Sequence, residues 1–462
     1  MRRIHFIGIG GSGLSAIARV LLERGESVSG SDRQLSPLAE GLRQAGARLY
    51  LGHQAENVHG ADVVVRSSAI PDDNIEVQEA RALGIPVMKR AEFMKDFLHG
   101  YQVIAIAGTH GKTTTTAMVA WILTYLGADP SFIIGGLSKN LGTNARHGKG
   151  THFVIEADEY DYMFLGLSPW IAVVTNIEYD HPDCFPSPER FYQAFQAFTE
   201  RILPSGDLIA CQDDRGARRL LDESTPGNRR SHRYALESVA GGVEVDYYAR
   251  NLTPSQQGRF SFEVFRRGEL LTQASLQVPG VHNVRNALAA LAVIDLLHLP
   301  ISEAAQALDQ FQGAGRRFEV RGEINGITLI DDYAHHPTEI KTTLTTLRQA
   351  YPHSDIYAVW QPHTFTRTRT LISAYAEAFN AADHVLVTDI YPAREPSPSD
   401  GFSSRQVVEA IHHQDVRYSQ SLKDTAAYLL SNLHSGSVLI VLSAGDADQI
   451  SSEILQTMHS GG

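Results

Sequence analysis

Gly108-Thr109-His110-Gly111-Lys112-Thr113, with Thr114 directly after it, sets two glycines, a lysine and hydroxyls within one short turn. An apolar run, Val103 to Ala107, leads in, and apolar residues at helical spacing lead out through Ala117 to Leu126. A strand that turns through glycines into a helix has the parts of a phosphate cradle. Backbone N–H groups and the positive end of the helix face the anion, Lys112 adds a point charge, and Thr113 offers a hydroxyl to magnesium. The general P-loop pattern requires a glycine where this chain has Ile106, so the loop is a shorter form. An ordinary turn before an ordinary helix would leave unexplained a lysine set between a glycine and four threonines.

Two acidic constellations follow other apolar runs. Glu156-Ala157-Asp158-Glu159-Tyr160-Asp161 comes after Phe153 to Ile155, and Asn176-Ile177-Glu178-Tyr179-Asp180-His181 after Ile171 to Thr175. Magnesium prefers carboxylate, water and phosphate oxygens, and strand ends are where open α/β sheets place ligands. Further on, His282-Asn283-Val284-Arg285-Asn286 opens an apolar helix that runs to Leu297. Asn283 and Asn286 share one helix face and can hydrogen-bond a flat, amide-like edge such as adenine; Asn283 also reads as a helix cap.

At the start of the chain, Ile4 to Ile7 leads into Gly8-Ile9-Gly10-Gly11-Ser12-Gly13 and a helical pattern from Leu14 to Leu22, and Val28 to Asp32 reads as a second strand ending in an acid. This is a G-x-G-x-x-G fingerprint with an acid following, an arrangement used for dinucleotides. Taken alone it says NAD, as in a dehydrogenase, but the same amide-lined turn serves any diphosphate, including that of a UDP-sugar. A further buried strand within Ala61 to Ile70 brings Ser67 and Ser68 to the same edge. His53 reads first as a surface-loop histidine and second as a ligand contact.

Alternating strand-like and helical runs imply mostly parallel sheets. The first domain is expected to span residues 1–99, the second 100–315 and the third 316–462, with boundaries near His99-Gly100 and in Gly313 to Glu319. In the third, strands Ile327 to Ile330, Tyr357 to Trp360, Val385 to Val387 and Val438 to Leu442 each end in a polar signature. Those ends carry Asp331-Asp332-Tyr333-Ala334-His335-His336-Pro337-Thr338-Glu339 and Gln361-Pro362-His363-Thr364-Phe365-Thr366-Arg367.

The chain has 462 residues, ordinary globular composition and a formal net charge of -12 without basic runs, so nucleic acid and anionic membrane are excluded as expected partners. Two cysteines, Cys184 and Cys211, have neither disulfide-framework nor metal spacing, which fits a reducing cytosol. No apolar run approaches the ~20 residues of a membrane span. The reading is of a cytoplasmic protein, monomer or homodimer.

The G-T-H-G-K-T-T loop, the E-A-D-E-Y-D and N-I-E-Y-D-H clusters, the H-N-x-x-N-A helix start and the D-D-Y-A-H-H-P-T-E and Q-P-H-x-x-T-R-T runs, in that order, resemble the Mur ligases, most closely their alanine-adding branch. The resemblance implies three α/β domains: a Rossmann-like UDP-binding domain, a P-loop ATPase-like central domain and a Rossmann-like C-terminal domain. It implies ATP and magnesium, two ions, with Thr113, Glu156 and His181 as metal ligands. Gly108 to Thr114, His282, Asn283, Asn286 and Arg317 would bind ATP. Gly8, Gly10, Gly11, Ser12, Gly13, Asp32, His53, Ser67 and Ser68 would bind the UDP-sugar, and Tyr333, His335, His363 and Arg367 the amino acid. Lys112, Glu156, His181 and Arg317 would be catalytic.

The implied substrates are UDP-N-acetylmuramate, L-alanine and ATP. The implied reaction runs through an acyl phosphate that the alanine amine displaces, in a site completed by domain closure. The nearest rival in the family is the ligase that recycles murein tripeptide, which shares E-A-D-E-Y-D but lacks Q-P-H-x-x-T-R. Two departures stand out: Ala334 where the family has Gly, and Thr364 where it has Arg. No lysine occurs between Lys149 and Lys341, so a carbamoylated central-domain lysine, which several Mur ligases use on the second magnesium, is excluded there.

Overall fold

Apolar runs separated by amphipathic helices build three large sheets along the chain, in a computed structural model that describes residues 1–223, 229–240 and 242–460. The first is five-stranded and wholly parallel, in the order Arg48–Leu51, Ser27–Asp32, Arg3–Ile7, Val63–Arg66, Val87–Lys89. The order reverses beside Arg3–Ile7, the switch point at which such sheets open a crevice. Gly8 turns the chain there with φ +86, and a Cβ on it would lie 2.9 Å from the Cβ of Ser67. The following helix is Ser12–Glu23, capped by Gly11 with no side-chain bond.

The central sheet has ten strands. Its parallel heart is Arg230–Ala235, Asp207–Cys211, Ile171–Val174, Gln102–Ala107, His152–Glu156 and Ser131–Ser138. The buried strands Ile171–Val174, Gln102–Ala107 and His152–Glu156 read as continuous apolar runs, which is why they were legible, whereas the largely polar Arg230–Ala235 was not expected. Antiparallel additions flank it: Thr143–Arg146 on one edge, and the pairs among Tyr247–Pro254, Phe260–Arg266 and Glu269–Ser275 on the other. Those strands are only partly buried and were not expected. The helix after the phosphate loop is Lys112–Tyr125; it starts five residues before its apolar run because Thr113, Thr115 and Thr116 are buried as core.

The third sheet runs Glu319–Ile324, Ile327–Asp332, Ser437–Ser443, Asp355–Gln361, His384–Val387, Val416–Tyr418, with only the first pair antiparallel. The four strands expected to end in polar signatures lie side by side and parallel. One apolar core runs from Ile4 in the first sheet to Phe311 at the end of the central one, joined by rings such as Phe97 and Phe153, whose centroids are 5.5 Å apart. Among the described residues, the apolar clusters of the third sheet contain nothing before Phe318. No helix among the described residues is long and apolar enough to cross a membrane.

Candidate active site

The phosphate loop lies where strand Gln102–Ala107 ends and helix Lys112–Tyr125 begins. Gly111 caps that helix at φ 81 without any side-chain bond, so the N–H groups of the first turn are left for a ligand. Gly108 sits at φ +133, and a Cβ there would overlap Thr175 Oγ1. The second acidic cluster pins the loop: Thr109 Oγ1 donates to Glu178 O at 2.8 Å, Glu178 N to Thr109 Oγ1 at 2.9 Å and His110 N to Asn176 Oδ1 at 2.8 Å.

Lys112 is mostly buried and paired. Its side chain is 13% exposed and its Nζ donates to Glu159 Oε1 at 2.9 Å and to Thr109 O at 3.1 Å. Burial pulls its pKa down, but Glu159, Glu156 and Asp158 together hold it above the usual lysine value. Glu156 accepts from Thr113 Oγ1 at 3.2 Å and from Gly135 N at 2.8 Å, and burial pushes its pKa up. Asp158 pairs with Arg90 of the first domain at 2.8 Å. His181, at φ 56, places Nε2 3.6 Å from Glu159 Oε1. Of the expected metal set, Thr113 and Glu156 bond each other and His181 lies beside Glu159, a buried carboxylate whose neighbour is Lys112.

Beside the loop is a cavity of about 340 Å³ lined by His110, Gly111, Thr114, His282, Asn283, Asn286 and Arg317, so most of the expected ATP residues meet here. Asp213, Asp214, Tyr234 and Phe318 also line it, and nothing in their local sequence marked them. Burial, then the charges of Arg285 and Arg317, lower His282 to about 4 and leave it neutral. The helix is capped by Gly280 and not by the Asn283 side chain, and the two asparagines bond each other. Asn286 Nδ2 donates to Asn283 Oδ1 at 3.0 Å, and Asn283 Nδ2 donates to Pro279 O at 2.7 Å, so Asn283 is spent on its own helix start.

Third-domain residues reach the same junction. Arg317 Nη1 lies 3.4 Å from Glu339 Oε1. His335 and His363 stand with ring centroids 5.8 Å apart, and the Tyr333 ring is 5.4 Å from that of His335. Burial lowers His335 to about 3, helped by Arg367, and His363 to about 2, helped by His335 and Arg367. Both imidazoles are neutral. Arg367, expected to stand ready for a free carboxylate, has a different partner. Its Nε donates to Asp180 Oδ1 at 2.6 Å and its Nη2 to Asp180 Oδ2 at 3.3 Å, while Nη1 meets His363 Nδ1 at 2.9 Å. Arg369 is turned away onto Asp400 at 2.8 Å. The guanidinium that does come near is Arg394, over the Tyr160 ring at 4.1 Å, and that ring packs on His181 at 5.1 Å. Thr364, at the position of the family's arginine, is buried at φ 64 and caps a short helix through Arg367 N.

In the first domain, Gly10 N donates to Asp32 Oδ2 at 2.8 Å, so the acid expected at the UDP-sugar is engaged in holding the glycine turn. His53 is tied inward: its Nδ1 is 3.0 Å from Ser31 Oγ and 3.6 Å from the buried Glu76. Ser68 Oγ donates to Asp161 Oδ2 at 2.5 Å, across to the central domain, and Ser67 flanks Gly8. Gly11, Ser12 and Gly13 form the helix start.

A phosphate loop, a buried lysine among carboxylates and a third, mostly parallel sheet whose edge meets them define an ATP-using ligase of modular build. The model of the Mur ligase family catalytic domain matches residues 3–102, that of the Mur ligase middle domain residues 106–294, and that of the Mur ligase glutamate ligase domain residues 316–445. The chain belongs to the Mur ligase family. It is 43% identical to the UDP-N-acetylmuramate--L-alanine ligase of Roseiflexus sp. (strain RS-1), over 98% of this chain and 99% of that one. It is 44% identical to the protein of the same name from Sorangium cellulosum, over 97% and 94%. Among solved structures, the UDP-N-acetylmuramate-alanine ligase of Thermotoga maritima superposes with a TM-score of 0.83 at 27% identity, covering 100% of both chains. A murein peptide ligase from Psychrobacter arcticus superposes with a TM-score of 0.75 at 26% identity, covering 99% of both. Membership leaves the dehydrogenase reading of the first glycine turn without support.

Proposed function

We propose that this protein is an ATP-dependent ligase that joins L-alanine to the muramyl carboxylate of UDP-N-acetylmuramate, in peptidoglycan precursor synthesis. The observation that carries the reading is the junction of three parts: an open helix N-terminus beside a cavity, a lysine among three carboxylates, and a third-domain edge bearing His335, His363 and Arg367. The names of the 43% and 44% identical relatives support alanine over the tripeptide.

The muramyl carboxylate attacks the γ-phosphorus of ATP, ADP leaves, and an acyl phosphate forms. The alanine amine then attacks the acyl carbon, phosphate leaves, and the amine proton is lost. Lys112 must leave Glu159 to meet the phosphates, and the helix N–H groups orient them. Thr113 and Glu156 would hold one magnesium and His181 a second. The donor set fits: with Lys112 matched by Glu159 and Asp158 by Arg90, Glu156 remains as unmatched negative charge beside a hydroxyl. When bound, magnesium neutralises charge on the transferring phosphoryl group. His335 and His363, being neutral, can face the incoming ammonium without repelling it.

The test is phosphate release with ATP, UDP-N-acetylmuramate and single amino acids, set against the tripeptide. Release with alanine and not the tripeptide is expected. The reverse would make the protein a recycling ligase, and tight binding of NAD without turnover would overturn both readings.

A further inference from the structure

His110, Glu178 and His336 come from three separate elements: the phosphate loop, the second acidic cluster and the start of helix Pro337–Ala350. One ligand atom from each lies within 4.8 Å of the others. His110 Nε2 is 2.9 Å from Glu178 Oε2, and His336 Nδ1 is 3.9 Å from that same oxygen. Four-coordinate zinc with bonds near 2.1 Å sets its ligand atoms about 3.4 Å apart, so the first separation must open and the second close by about half an ångström, and the two histidine nitrogens, no more than 4.8 Å apart, must close by up to about 1.4 Å.

The surroundings support the same conclusion. A histidine that holds a metal usually gives its other ring nitrogen to a carboxylate or a backbone carbonyl, which fixes the ring. His110 Nδ1 lies 3.2 Å from Glu339 Oε1, and His336 Nε2 donates to Tyr179 O at 3.3 Å. The oxygen of Glu178 that does not face the histidines accepts from Thr338 Oγ1 at 2.7 Å. Each of the three residues is thus oriented from behind, and the remaining donor atoms lie together, with His336 Nδ1 accepting only a weak bond from Thr338 N at 3.3 Å. The Glu178 side chain is 42% exposed, which gives an ion a way in.

We infer that His110, Glu178 and His336 form a site for a zinc-class divalent ion, with water as fourth ligand, that clamps the phosphate loop to the third domain. Two imidazoles and one carboxylate favour zinc or cobalt over magnesium, so this site is chemically distinct from the oxygen-rich set at Thr113 and Glu156. The ion replaces the proton that His110 shares with Glu178, and it displaces the weak bond, 3.3 Å, from Thr338 N to His336 Nδ1. The inference does not rest on the proposed reaction.

Cobalt(II) added to the tag-free protein without substrates tests it. One equivalent should give the intense visible bands of a four-coordinate ion and raise the thermal midpoint. Glu178→Gln and His336→Gln should each weaken cobalt binding at least about tenfold, and Thr338→Val, which keeps every ligand, also about tenfold. His181→Gln, outside the cluster, should leave the spectrum as it is. Weak six-coordinate bands, unchanged affinity in both ligand variants, or loss of the bands in His181→Gln would each overturn the site. Circular dichroism shows that a variant which fails to bind is still folded.

Discussion

Arg367 of the third domain grips Asp180 of the central domain with two nitrogens, at 2.6 and 3.3 Å, and both side chains are almost wholly buried. The guanidinium face suited to a carboxylate is therefore filled by the protein itself. Asp180 is held well below the usual carboxylate range by Arg367 and His181, which outweigh its burial. Whatever Arg367 does for an amino acid, it does while holding two domains together.

Arg367→Ala strands Asp180 as a buried, unpaired charge, which costs about 3–5 kcal/mol. The thermal midpoint should fall, and kcat/KM should drop for ATP and alanine alike. Asp180→Asn added to it should recover stability but not turnover. Thermal melts beside steady-state kinetics decide. A rise in the KM for alanine alone, with an unchanged midpoint, would return Arg367 to direct substrate binding.

Lys112→Ala should abolish turnover and also destabilise, because Glu159 is buried at the lysine's far end. The double variant with Glu159→Gln should regain most of the lost midpoint and stay inactive. Equal midpoints for wild type and Lys112→Ala would mean that the ion pair contributes nothing to the fold.

His110 sits between Glu178 and Glu339, and although burial pulls the other way, those bonds raise it to about 9. A histidine raised on folding contributes stability that is complete below its unfolded value, about 6.5, and is lost as pH climbs through the folded value. The metal-free protein should therefore lose midpoint between about pH 7 and pH 10, and His110→Gln should flatten that slope. Melts across the range in chelator give the answer, and an identical slope in both proteins contradicts it.

Thr364 holds φ 64 with ψ 144, a region nearly reserved for glycine, at a strain of about 1–3 kcal/mol. Its cap bond to Arg367 N is long, 3.4 Å, and a glycine cap costs only a few tenths of a kcal/mol. Thr364→Gly should raise the thermal midpoint. A fall would show that the packing of the threonine outweighs its backbone.

Motifs at the ends of buried strands were legible because such strands read as unbroken apolar runs, and the loops after them can only lie at a sheet edge. That located Lys112, Glu156, His181 and His335 in one region. Pairings across that edge were not legible: nothing local to Asp180 names Arg367 as its partner, and the mutual bond of Asn283 and Asn286 hides what their spacing suggests. The antiparallel strands Phe260–Arg266 and Glu269–Ser275 escaped because few of their residues are fully buried and polar residues interrupt the apolar run that marks the others.

The continuous core between the first two sheets and the separate clusters of the third have a consequence for descent by recombination. A crossover near residue 316 severs no apolar cluster among the described residues and cuts a seam of ion pairs, Arg367 with Asp180 and His110 with Glu339. A crossover near residue 100 would split a single core. Exchange of the third-sheet module between relatives is thus mechanically cheap here, while exchange of the first-sheet module demands that a whole interior be rebuilt at once.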